Sequence, residues 1–98
     1  MRHSINAKSA LAAEFDAAAD WYERQRRGLG AKFVAQIRAV LRRIAANPKL
    51  HVTVYKDVRK AVVNRFPYVV LYREEAGALV VIAVFHAARD PNVWKSRA

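Results

Sequence analysis

A chain of 98 residues is long enough for one compact domain and too short for two. Hydrophobic residues make up 54% and aromatics 10%, which excludes a disordered polypeptide, and the lack of cysteine excludes a disulfide framework, a thiolate metal site and a cysteine nucleophile. The net charge of +10 is uneven: residues 1–23 carry −2, residues 24–65 carry +11 and residues 66–98 carry +1, so the middle of the chain either favours an anionic partner or is a solvated basic surface.

Residues 2–6 offer a short strand for a sheet edge. Leu11, Phe15, Ala18 and Tyr22 then recur at helical spacing, with Glu14, Asp16, Asp20 and Glu23 on the polar side, which predicts an amphipathic helix over about 8–26. Gly28 and Gly30 in "RRGLG" suit a helix end and a tight reversal. Phe33, Ile37, Val40, Leu41 and Ile44 form a second apolar stripe among Lys32, Arg38, Arg42 and Arg43, and Asn47-Pro48 stops that helix because the residue before proline avoids the helical region. So short a turn makes the two helices an antiparallel hairpin.

After Pro48 the period changes to two, predicting strands at about 52–55, 58–65, 68–74 and 79–86. Pro67 makes the corner before the last two, and "EEAGA" turns between them. "LVVIAVF" is apolar at every position, so both its faces should be covered, which places that strand centrally. The expected architecture is α+β, a single domain over residues 1–98 with the hairpin packed on an antiparallel sheet. Asp90 and Pro91 read as the cap and first residue of a short C-terminal helix, whose Trp94 folds back on the sheet as an anchor.

No standard catalytic motif is present, and His3, His51 and His86 are too scattered for a metal site; neither a metal nor a cofactor is expected. No run reaches the roughly 20 apolar residues of a membrane span, and no signal peptide is legible, so the expectation is a cytoplasmic protein with no membrane partner. The residues able to carry chemistry are cationic. A metal-independent ribonuclease needs a base, an acid and cations around the phosphorane. The candidates are His86 as acid or base, with Lys60, Arg65, Arg73 and Arg89 supplying charge. Strand parity sets Lys60 and Arg59 on opposite faces. The plainer reading is that His86 ends a strand and the arginines are surface residues. Trp21-Tyr22 is either core or a partner contact, since Asp20 and Glu23 beside it would repel a nucleic-acid backbone.

The blocks "WYERQRRGLGAKF", "IAANP", "RKAVVNRFPYVVLYRE" and "VVIAVFHAARDPNVWKSR" together resemble the RelE/ParE superfamily of bacterial type II toxins, over about residues 10–97. The resemblance implies the same hairpin-on-sheet fold. It also implies a cognate antitoxin, which wraps the toxin with an acidic or partly apolar C-terminal segment and alone carries the contact with operator DNA. Its candidate contacts are Trp21, Tyr22, Phe33, Ile37 and Leu41, with Arg38 and Arg42. Two targets divide the superfamily: RelE-like members cut mRNA on the ribosome, and ParE-like members inhibit DNA gyrase and stabilise plasmids. Here Lys60 stands at a strand lysine position and Arg89 near the late arginine. Val69 stands where the nucleases carry an arginine, and Trp94 where they carry a tyrosine. These departures favour a ParE-like, non-hydrolytic toxin over a nuclease, and a non-toxic antitoxin-binding module is the third alternative.

Overall fold

The computed structural model describes residues 5–89 and Lys95, with side chains from residue 13 onward. Helix α1 (Ile5–Gln25) and helix α2 (Leu29–Ala46) form the hairpin. Alanines at 7, 10, 12 and 13 favour helix propagation, and α1 takes in Ile5 and Asn6. That contradicts the strand expected at 2–6 in its last two residues; residues 2–4 lie outside the described residues. The apolar stripe of α2 is buried at Phe33, Ile37, Val40 and Ile44, three to four residues apart, as a helix packed along one face requires.

Four strands follow: β1 (Thr53–Tyr55), β2 (Val58–Val62), β3 (Tyr68–Glu75) and β4 (Ala78–His86). They form an antiparallel meander in the order β1-β2-β3-β4, so the α+β architecture holds. Strand β2 stops three residues before the expected end at 65. The backbone turns there, Arg65 taking a φ of 72°, and the Val63 N–H donates to the Tyr68 carbonyl at 2.9 Å to close the loop over Phe66 and Pro67.

The central position expected for the strand "LVVIAVF" is not what the described residues show: among them β4 lies at the edge, with β3 its one neighbour in the sheet. An all-apolar strand needs two covered faces, and that does not require two hydrogen-bonded neighbours. On the helix face, Leu79, Val81 and Val84 join the core with α2. On the opposite face Val80, Ile82, Ala83 and Phe85 are buried with Val58, Val69 and Leu71. A bulge between Leu71 and Tyr72 makes this possible, because Leu71 pairs with Ala83 and Tyr72 with Val81, leaving Ile82 as the extra residue. Without it, Val81 and Val84 would point to opposite faces.

The core between the layers is aromatic at the hairpin end. Phe33 is fully buried, with Tyr22, Phe66 and Tyr68 ring centroids 5.2, 5.3 and 5.0 Å away. At the other end Tyr72 is also fully buried, and its hydroxyl donates to the Pro48 carbonyl at 2.6 Å. Since that bond uses the only hydroxyl proton, His51 Nδ1, 3.1 Å away, donates to the same oxygen. His51 therefore serves the fold, holding the α2–β1 connection against the sheet.

Candidate functional site

The turn between the helices is built by Glu23. Its two carboxylate oxygens accept the N–H groups of Gly28 at 2.9 Å and Gly30 at 3.0 Å, so an acidic residue of α1 caps the positive end of α2. Gly28 takes a φ of 86°, which glycine adopts without strain. Gly30 is needed for closeness, because a Cβ there would sit 2.6 Å from the Ala19 carbonyl oxygen. Periodicity alone puts Glu23 on the polar side of α1. A carboxylate five and seven residues ahead of two glycines was the signal for its capping role.

Register decides where the five nuclease candidates go. Lys60 pairs with Leu71, and Leu71 with Ala83, so Lys60 points away from the helices. There it lines a groove of ≈ 300 Å³ with Arg89 and Lys95, over a floor that includes Val69, Leu71 and Phe85. The guanidinium of Arg89 lies 5.3 Å from the Phe85 ring, a cation–π distance, and the Lys95 ammonium lies 5.0 Å from the Tyr55 ring. His86 pairs with Tyr68 and shares the helix face of the sheet, opposite to Lys60. Arg73 is held by Glu75 at 3.0 Å, with Asp57 4.0 Å away. Arg65 stands in the β2–β3 loop beside a third cleft. The fold brings Arg89 beside both Lys60 and His86, on opposite faces of the sheet, and sets Arg65 and Arg73 apart from them.

His86 has a structural task. Its Nδ1 accepts the Ala88 N–H at 3.1 Å, and its carbonyl accepts the Arg89 N–H at 3.0 Å, which shapes the turn after β4. The proton of the neutral ring is thus on Nε2. Around it, Tyr68, Arg89, Trp21 and Glu14 line a shallow groove of ≈ 310 Å³. The ring of Tyr68 meets that of His86 edge-on at 5.3 Å. Burial pushes the Tyr68 phenol above its ordinary range, and the charge of Arg89 partly opposes that rise. Only strand register shows that Tyr68 neighbours His86, which no local sequence signal indicates.

The seven candidate antitoxin contacts separate by exposure. Phe33 and Ile37 are removed from that surface, since both are buried in the core between helix and sheet. Tyr22 is half-buried against Phe33, Phe66 and Tyr68. Trp21, 51% exposed, Leu41, 36% exposed, and Arg38 and Arg42 remain on the surface. The anchor residues Asp90, Pro91 and Trp94 lie outside the described residues. Among the described residues, no three histidines or carboxylates gather to hold a metal ion, and no helix is long and apolar enough to cross a membrane.

A family model described as the ParE toxin of the type II toxin-antitoxin system parDE matches residues 7–91, which is most of the chain. No curated protein and no solved structure matches.

Proposed function

The chain belongs to the ParE toxin family of type II toxin-antitoxin systems, and from that premise we propose that it arrests growth by binding DNA gyrase and trapping it on cleaved DNA. Family membership implies an antitoxin partner. In this reading the antitoxin neutralises the toxin by wrapping the exposed positions Trp21, Arg38, Leu41 and Arg42. Contact with operator DNA comes through the antitoxin.

The observation that favours a binding mechanism over a hydrolytic one is that the candidate groups are split across the sheet: Lys60 lies on the face opposite His86, and among the described residues Arg89 is the one cation lining the groove of His86. Cleavage of RNA without a metal needs an acid or base and a phosphate-holding cation on the same scissile bond. Among the described residues, those lining the groove around Lys60, Arg89 and Lys95 include no histidine, carboxylate or tyrosine. Val69 occupies its floor where a further cation would serve a nuclease.

Purified toxin should inhibit gyrase supercoiling, and its induction without antitoxin should cause filamentation and DNA-damage signalling. Normal supercoiling with toxin in excess removes the gyrase reading. The convergence of Lys60 and Arg89 supports the second reading, a ribosome-dependent mRNA endonuclease. That reading requires cuts at ribosomal A-site codons by primer extension, and it fails if His86→Ala and Arg89→Ala both leave toxicity intact. Unchanged growth on induction would leave the antitoxin-binding module.

A further inference from the structure

The third cleft, of ≈ 510 Å³, lies between the end of α1, the first turns of α2 and the β2–β3 loop. Tyr22, Leu29, Phe66 and Pro67 give it an apolar floor, and Arg26, Lys32 and Arg65 stand around it. Each cation comes from a different segment, so the rim exists only in the folded chain. No ion pair among the described residues involves any of the three. Glu23, three residues before Arg26, has both carboxylate oxygens committed to the backbone of the helix turn. Arg65 is held at a φ of 72°, a conformation unfavourable for a residue with a Cβ, by the short loop that closes with Tyr68 N–H donating to the Phe66 carbonyl at 2.7 Å.

Unneutralised cations around an apolar floor match one kind of occupant. We propose that this cleft docks an acidic, partly apolar peptide segment, with one apolar side chain on the floor and flanking carboxylates on Arg26, Lys32 and Arg65. A nucleic-acid backbone would use the cations and gain nothing from the floor. Nor does Tyr22 offer a base a free ring, since it is packed against Phe33, Phe66 and Tyr68. The site deepens the toxin-antitoxin reading, and rests on it only for identifying the segment as the antitoxin's tail.

The test is fluorescence anisotropy of the full chain with a labelled peptide of about ten residues alternating glutamate and leucine. Lys32 and Arg65 are exposed, so Lys32→Glu and Arg65→Glu should keep the fold, checked by circular dichroism. Each should weaken peptide binding about tenfold, and Lys56→Glu, at the opposite end of β2, less than about twofold. Replacing the leucines by serine should also weaken binding about tenfold. No peptide binding at low salt, or an equal loss with Lys56→Glu, overturns the proposal. So does a DNA duplex that competes for the same residues while the leucines make no difference. The product of a neighbouring reading frame separates the two levels. If it co-purifies equally with wild type and with the Lys32→Glu, Arg65→Glu double variant, the cleft is wrong and the antitoxin reading stands. If no such protein binds the wild-type chain, the antitoxin reading itself falls.

Discussion

Phe33 and Trp21 differ in what their removal should do, although both are large aromatic residues on the hairpin. Phe33 is fully buried among Tyr22, Phe66 and Tyr68, so Phe33→Ala removes a central ring and leaves a cavity. The expected loss is about 3–5 kcal/mol, read from the urea midpoint. Trp21 is half exposed and meets Tyr22 edge-on at 5.1 Å, so Trp21→Ala should cost under about 1 kcal/mol while weakening antitoxin binding. Comparable losses of stability from the two substitutions would refute this assignment of core and surface. The sequence placed both residues on plausible contact positions because periodicity marks a stripe as apolar without saying what covers it.

At the level of elements, the hairpin turn does more than reverse the chain. Glu23 joins α1 to the N-terminus of α2, and Gly30 lets the helices approach until only a hydrogen fits between them. Gly30→Ala would place a methyl 2.6 Å from the Ala19 carbonyl, a backbone atom that cannot rotate away. The helices must then separate, at a cost of about 1–3 kcal/mol, which a thermal unfolding midpoint would report. An unchanged midpoint would mean that the hairpin shifts freely. The sheet shows the opposite economy: its ion pairs lie at the ends of strands. Lys49 meets Glu74 at 2.9 Å, and Arg73 meets Glu75, yet exposed pairs of this kind contribute only about 0–1 kcal/mol. Packing of the two sheet faces therefore outweighs them.

Across the whole molecule, charge is sorted by position along the sheet. Asp57, Glu74 and Glu75 lie at the β1–β2 and β3–β4 turns, near Lys49 and Arg73. Arg26, Lys32 and Arg65 lie at the other end, around the hairpin cleft. Buried phenols link this framework to alkaline pH. Burial raises Tyr22, Tyr68 and Tyr72 above their ordinary 10.0, with Tyr68 also raising Tyr22, Arg89 opposing the rise of Tyr68, and Arg59 opposing and Glu74 adding to that of Tyr72. A pKa higher in the folded than the unfolded chain gives stability that is complete below about pH 10 and is lost as pH rises through the folded value. The urea midpoint should therefore fall above about pH 10, and fall less steeply in Tyr72→Phe; a midpoint level to about pH 11 would contradict the burial of these groups. Much of this molecule follows from sequence alone. The two helices, the four strands along the chain and the +11 middle segment are set by periodicity, turn residues and composition, which are local properties. Tertiary structure alone decides that, among the described residues, β4 is an edge strand buried on both faces, that Lys60 and His86 are on opposite sides, and that Arg26, Lys32 and Arg65 share one cleft. Each of these depends on register, on a one-residue bulge or on contact between distant segments, and a one-residue step in a strand moves a side chain to the other face.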